Sequence, residues 1–391
     1  MHKGKYVFAQ VLSLFNRYEF NKCVDRYDGN KGVRHFSCWN QFVQMFFGQL
    51  TARKGLRDIH TCLNAHSAKL YHLGIGGLVH FSTLSRANEQ RDWRIFADYG
   101  YYLIQLVKPL YWDEPIDENL SDELKIFALD STTISTSIIL CSWAYGKYSK
   151  GAVKVHTLLN LKGSIPEFIL ITDGKYHDVN ALDQITFEEF AFYIMDKAYI
   201  DFKRLYRMEI TDVFFVVRAK TNIRFRVVKS HKVDKTTGLK CDQYIKLTGV
   251  KSKKHYPSKI RRIKYHDHDK QITLVFLTNN FDLEPLEITQ IYRNRWQIEV
   301  FFKWIKQNLQ VKTLWGYSQN AVKTHLWIAI CTYLVVACLK KQLKSELTIY
   351  EIMQILGISV LDKTPVNQIL TKFKNKNDVK EQYNLFNISD L

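Results

Sequence analysis

Between Lys125 and Ala219 the chain spells out five apolar runs of strand length, and their spacing admits few architectures. The run 125–130 (KIFALD) ends on an acid, 153–161 (VKVHTLLNL) alternates and turns at Lys162-Gly163-Ser164, and 165–173 (IPEFILITD) follows directly. A fourth run, 191–196 (AFYIMD), again ends on an acid, and 212–219 (DVFFVVRA) is the fifth. Residues 179–190 and 201–209 carry helical spacing between the last three runs. The order β-β-β-α-β-α-β, hairpins first and crossovers after, predicts a mixed sheet with helices on both faces. Side chains at the C-terminal ends of strands in such sheets line the ligand edge, which singles out Asp130 and Asp196.

The stretch Tyr292 to Lys306 (YRNRWQIEVFFKWIK) predicts one continuous amphipathic helix. At 100° per residue, Tyr292, Arg295, Glu299 and Lys306 fall within an arc of about 60°, beside an apolar arc of roughly 100° formed by Ile291, Ile298, Phe301, Phe302 and Ile305. The plain reading is a solvated face with an i,i+4 Arg–Glu pair. Its company argues for more. Three converging carboxylates in a basic protein need cations between them, since like charges at close range cannot all stay ionised unpaired. Mg²⁺ is the hard, oxygen-seeking candidate, and two such ions about 3.5–4 Å apart would stabilise the attacking and leaving oxygens of a displacement at a phosphodiester. Arg295 can then fork onto a phosphate, Lys306 add a point charge and Tyr292 donate a hydrogen bond.

A net charge of +18 points to a polyanionic partner. Much of it is concentrated: Arg218 to Lys270 holds 17 Lys and Arg against four Asp. Residues 220–282 read as a basic, β-rich insertion of four short strands, in which Lys251, Lys253, Lys254, Arg261 and Arg262 are candidates for the DNA backbone. Residues 1–120 read as helical, with Ser37 capping a helix from Cys38 to about Leu50. A further helix near Ser82, after the turn Gly74-Ile75-Gly76-Gly77, suits either plain packing or a helix-turn-helix reader offering Ser82, Ser85, Arg86 and Asn88. Seven cysteines without CxxC spacing suit free thiols in a reducing cytoplasm. The longest apolar run, Trp327 to Leu339, falls short of the ~20 residues that cross a bilayer, so the chain reads as soluble. Apolar helices finish the chain, and from Lys372 it is polar and loose.

The spacing Tyr292-x2-Arg295-x3-Glu299-x6-Lys306 resembles the YREK signature of bacterial insertion-sequence transposases of the IS-four type. Residues 129–132 (LDST) resemble that family's first-Asp strand, 195–199 (MDKAY) its second, and 277–280 (LTNN) its approach to the signature helix. Residues 3–10 (KGKYVFAQ) and 34–41 (RHFSCWNQ) resemble an extra helical N-terminal domain found in one branch. The resemblance implies an α/β fold: an RNase H-like mixed-sheet core (121–219 and 283–320) interrupted by the β-rich insertion, with helical regions at 1–120 and 321–391. It implies a DDE triad of Asp130, Asp196 and Glu299 holding two Mg²⁺ ions, for which Mn²⁺ could substitute. It further implies double-stranded DNA as partner, both terminal inverted repeats and target, and a homodimer in the synaptic complex. It implies no membrane partner and a cytoplasmic, nucleoid-associated protein of a bacterium. Such enzymes nick one strand with water, close a hairpin through the freed 3′-OH, reopen it and join the end to target DNA. A Trp that stacks on a flipped base in well-known members has no counterpart between 197 and 295, which leaves Phe225, Tyr244, Tyr256 and Tyr265 as alternatives.

Asp173, Asp178 and Asp201 compete with Asp196 for the second carboxylate. Gly174 makes a turn role fit Asp173, Asp201 looks like an N-cap, and Asp196 is preferred chiefly on the family likeness. His266-Asp267-His268-Asp269 reads as a solvated hairpin turn rather than a metal site. Two other functions stay open: a structure-specific nuclease that cuts without joining, and a catalytically inactive DNA-binding regulator.

Overall fold

The computed structural model of the chain describes residues 4–146 and 151–370, so the polar segment from Lys372 lies outside the described residues. Two compact units are formed, one from Met1–Leu110 with Trp304–Leu391, the other from Tyr111–Lys303. The chain opens with helices α1 (Val7–Leu12), α2 (Arg17–Arg26), α3 (Cys38–Leu50), α4 (Leu56–Ala65), α5 (Phe81–Gln90) and α6 (Arg94–Val107). Ser37 caps α3 as expected, its hydroxyl accepting the Asn40 N–H at 3.2 Å. Asn88 of α5 is buried and donates to the Trp315 carbonyl at 3.3 Å, so it cannot read a base edge as a helix-turn-helix residue would.

The second unit carries β1 (Ile126–Thr136), β2 (Gly151–Asn160), β3 (Ile165–Asp173), β4 (Phe192–Met195), α7 (Phe202–Glu209), β5 (Phe214–Arg218), β6 (Phe225–His231), β7 (Leu239–Leu247), α8 (Val250–His255), β8 (Ile260–Asp267), β9 (Ile272–Thr278) and α9 (Pro285–Arg293). The chain continues through α10 (Trp296–Asn308), whose residues from Trp304 belong to the helical unit, to α11 (Gln319–Gln342) and α12 (Ile349–Ser359). In that unit α11 packs on α6, and Gly100 permits the approach, because a Cβ there would stand 2.7 Å from the Trp327 ring. By length and composition α11 could cross a bilayer, which a count of consecutive apolar residues missed. Its side chains, Thr324 and His325 included, are buried within the unit.

The nine strands form one sheet in the order β3-β2-β1-β4-β5-β9-β8-β7-β6. β1, β2 and β3 are antiparallel, while β4 and β5 run parallel to β1 and to each other. This is the RNase H-like arrangement. One face carries Phe127, Leu129, Tyr193, Met195, Phe215 and Val217 into a core shared with Leu205 and Met208 of α7. Each such side chain contributes about 1.5–3 kcal/mol through burial. The helix expected over 179–190 is a 3-10 turn, Asp178–Gln184, and the chain then runs extended. Phe187 packs on Tyr193 at 4.9 Å and the Glu188 N–H donates to the Tyr193 hydroxyl, so side-chain anchoring displaces helical hydrogen bonds there.

The four strands of the basic segment continue this sheet, since β9 pairs antiparallel with β5. Asn279, just past β9, fixes the join: its side chain accepts the Phe215 N–H at 2.9 Å and donates to the Val213 carbonyl at 2.8 Å. Arg261 does not fit a contact to DNA. It is 4% exposed, and its guanidinium forks onto Asp242 with two bonds of 2.9 Å. Removing one partner of such a pair leaves a buried charge, so Arg261→Ala should lower unfolding stability by about 3–5 kcal/mol. Urea denaturation would register this as a lower midpoint at constant m. An unchanged midpoint would show that the pair is dispensable.

Candidate active site

Asp130 and Asp196 are brought together by strand register. The parallel ladder between β1 and β4 ends at the pair Leu129–Met195, so each acid is the residue immediately beyond it. The expectation that Asp130 ends its strand is corrected: β1 runs on to Thr136 against β2, because the β-branched SerThrThrIleSerThr stretch suits extended backbone. What ends at Asp130 is the pairing with β4. Asp196 follows β4 directly.

The predicted single helix over Tyr292–Lys306 is also corrected. α9 stops at Arg293, and α10 starts at Trp296. Through the joint, i→i+3 bonds replace the α pattern, with Arg295 N–H donating to Tyr292 O at 3.0 Å and Ile298 N–H to Arg295 O at 3.2 Å. The cause is Asn294, a buried amide. Its Nδ2 donates to Asp117 at 3.0 Å and to the Gln290 carbonyl at 3.1 Å, while its Oδ1 accepts from Gln297 Nε2 at 2.9 Å. Gln290 also binds Asp117. Burial tends to raise the Asp117 carboxyl, but the Asn119 N–H and, after it, the side-chain amides of Asn294, Gln290 and Asn119 outweigh it and hold it below the usual range. Asn294→Ala strips Asp117 of a donor, and should cost about 1–3 kcal/mol in urea denaturation.

The break aims Arg295 at both flanking acids. Nη1 donates to Asp130 Oδ2 at 3.1 Å and Nη2 to Glu299 Oε1, while Nε is buried without a partner. Burial pushes the Asp130 carboxyl up to about 6, and nearby Asp196 and Glu299 push the same way, against the Ser131 N–H and Arg295. Asp130 therefore feels both of the other carboxylates. Tyr292 is buried with its ring 4.6 Å from Phe276 and 5.9 Å from the Arg295 guanidinium. Burial raises its phenol, Asp196 reinforces that and Arg295 opposes it. Lys306 lies seven residues beyond Glu299, in the helical unit, where burial and nearby Lys312 lower its ammonium.

Among the described residues, no group of three or more His, Cys, Asp or Glu stands close enough to hold a metal ion. The donor chemistry nevertheless fits a hard divalent cation: three carboxylate side chains, mutually repelling, with a guanidinium as the positive charge between two of them. The competing acids have other duties. Asp173 accepts the Lys175 and Tyr176 N–H groups in a turn, and Asp201 caps α7 by accepting the Arg204 N–H. Asp267 closes the β8–β9 hairpin by accepting from Asp269 and Lys270. Asp178 lies beside Asp130's neighbour Ser131, a placement that strand spacing alone did not reveal.

In the basic segment Lys251, Lys253 and Lys254 are exposed on α8. Arg262 is half-buried, bonded to Gln243 Oε1 at 2.8 Å, with its guanidinium 5.1 Å over the Phe225 ring. Phe225 and Arg262 line a cavity of about 200 Å³ with Arg218, Lys220 and Leu277. Tyr256 is enclosed in the core, 1% exposed, and cannot stack on a base. Tyr244 is packed between His231 and Phe281.

Comparison with known proteins gives two family matches. Residues 122–335 match the family described as Transposase DDE domain, and residues 3–76 one described as Domain of unknown function (DUF4372). A protein of Sinorhizobium fredii named as a transposase, y4zB, is 31% identical over 52% of this chain and 58% of its own. A probable transposase for insertion sequence element IS5377 of Geobacillus stearothermophilus is 30% identical over 56% and 57%. A Synechocystis protein named as a transposase for element IS4SA is 30% identical over 68% and 73%. The chain spans less than two thirds of the length of the first two.

Proposed function

Since this chain belongs to the Transposase DDE domain family, we propose that it catalyses divalent-metal-dependent cleavage of DNA at the ends of an insertion sequence and transfer of those ends into target DNA. What supports the reading is that Asp130 and Asp196 follow one rung of the β1–β4 ladder, that Arg295 bridges Asp130 and Glu299, and that burial raises Asp130 with Asp196 and Glu299 adding to it. These acids would hold the metal, Mg²⁺ or Mn²⁺. When bound, the metal supplies Lewis-acid stabilisation of the attacking and leaving oxygens.

The chain's own residues then have separable tasks. Asp130, raised by burial, gains most from a neighbouring cation. Arg295 holds two carboxylates with its Nη atoms, and a DNA phosphate offers the same fork a second anionic partner. With DNA bound, Arg295 would therefore orient a phosphate as well as the two acids it holds in the free chain. In the first step a water oxygen bonds to phosphorus and the bond to the 3′ oxygen breaks, leaving a 3′-OH. The oxygen of that hydroxyl next bonds to a phosphorus of the opposite strand while the bond from that phosphorus to the 3′ oxygen of the flanking DNA breaks, which closes a hairpin on the element's end and frees the flank as a 3′-OH. Phe225, half-buried beside its cationic cavity, is the aromatic we assign to a flipped base. Exposed Lys251, Lys253 and Lys254 suit the DNA backbone, with a homodimer pairing two element ends in the bacterial cytoplasm.

The test is cleavage of labelled DNA carrying the element's own ends, with Mg²⁺ or EDTA and with Asp196→Ala alongside. Cutting at the repeat boundary should require Mg²⁺ and vanish in the variant. Cutting without joined product would favour a nuclease, and binding without cutting by both proteins would favour a regulator.

A further inference from the structure

Directly behind Asp130, on the opposite face of the sheet, lies a polar cluster that the proposed chemistry leaves unused. Ser131 pairs in register with His156, one step on from the pair Asp130–Thr157. Its two donors point in different directions. The Ser131 N–H donates to Asp130 Oδ1 at 2.8 Å, and its Oγ donates to Asp178 Oδ1 at 2.7 Å. Lys154 Nζ donates to the same Asp178 oxygen at 3.1 Å and to the Tyr176 carbonyl at 2.9 Å. His156 is fully buried. Its Nδ1 stands 3.6 Å from Asp178 Oδ1 without a hydrogen bond, and its Nε2 is 3.1 Å from Thr172 Oγ1.

A tether holding the 174–178 turn against the sheet would explain the Lys154 bonds alone. It does not explain why the carboxylate is also spent on Ser131, whose N–H contacts the Asp130 side chain. Burial tends to raise Asp178, and the bonds from Ser131 and Lys154 outweigh it, so the group is an ionised acceptor. An ionised acceptor fixes the Ser131 hydroxyl, and with it the backbone N–H that orients Asp130. Carboxylates that bind metals are commonly oriented by such a second layer, whose loss costs about 10–100-fold in metal affinity or activity.

We propose that Asp178, held by Lys154, is a positioning residue that acts through Ser131 to set the Asp130 carboxylate for metal binding. The proposal rests on the three-carboxylate reading above.

The experiment measures Mn²⁺ binding to the full chain from the free-ion electron paramagnetic resonance signal, beside thermal melting and cleavage. Asp178→Asn and Ser131→Ala should each raise the Mn²⁺ dissociation constant by about 10–100-fold and slow cleavage comparably. Ser131→Thr, which keeps the hydroxyl, should restore both. Should Asp178→Asn fail to fold, Ser131→Ala carries the test alone, since it removes a single hydroxyl. Wild-type Mn²⁺ affinity in Ser131→Ala and Asp178→Asn, with Asp130→Asn weakened, would overturn the proposal and leave the triad standing. A loss of melting temperature without change in Mn²⁺ affinity would reduce the cluster to a tether and overturn it equally. Unaltered Mn²⁺ binding by Asp130→Asn would remove the triad reading itself.

Discussion

Glu299→Gln should lower the rate of DNA cleavage by on the order of 10³-fold or more while leaving DNA affinity near wild type. The amide keeps the shape of the side chain and can still accept a hydrogen bond from Arg295 Nη2, so the joint between α9 and α10 has no cause to shift. What disappears is one negative charge among three, and with it much of the hold that the proposed site would have on a divalent cation. Arg295→Ala should behave differently. It removes the bridge to Asp130 and the fork offered to phosphate, so binding of element ends should weaken together with cleavage. Single-turnover cleavage at saturating protein, with affinity measured separately by fluorescence anisotropy, distinguishes the two. Glu299→Gln cutting at the wild-type rate would mean that the third carboxylate has been misassigned.

The second large effect is on stability, and its sign is opposite to that of most core substitutions. Burial lifts the Asp130 carboxyl to about 6 in the folded chain, against 3.8 for an ordinary aspartate. Between those two values the folded chain holds a proton that the unfolded chain has released. Stability therefore falls as pH rises through that window, and the full penalty is present above about 6. At 1.36 kcal/mol per unit, the ionised carboxylate costs the metal-free fold about 3 kcal/mol. Asp130→Asn should recover much of this at pH 7.5 in EDTA, and little at pH 3.5, where both states of the wild type are protonated. Urea denaturation at the two pH values is the measurement. A gain of equal size at both would show that packing, not charge, is responsible.

Such strain is what made the site legible in the sequence. An acid ending an apolar run is out of place in a core, and two of them, Asp130 where the pairing with β4 stops and Asp196 just past β4, marked the edge on which the chemistry is proposed. The strand order followed from alternation and turn residues, since period-two patterning survives in a single sequence. The helix was read less well. Periodicity could not register that Asn294 would find Asp117, 177 positions earlier, and exchange α-helical bonds for a tighter joint. Charge counting failed at Arg261 for a related reason. A basic composition says how many cations a segment has, not which of them a neighbouring strand will bury, and Asp242 claims this one. The cluster of Ser131, Lys154 and Asp178 escaped because its members are joined by register and by a 3-10 turn, neither of which has a periodic signature.

The basic strands β6 to β9 enter the sheet last strand first. β9 lies beside β5, supports the Tyr292 ring through Phe276 and leads within a few residues into α9, whereas β6 forms the open edge farthest from the acids. Tolerance of insertion and deletion should therefore be graded across this segment. Loops and rungs toward β6 can lengthen, shorten or vanish in the course of divergence without disturbing the carboxylates. β9 cannot be trimmed without unseating α9 and the joint beyond it, which deliver Arg295 and Glu299. Relatives that differ in the length of this region should have gained or lost chain at its outer edge, as a roof is extended from the eaves and not from the ridge.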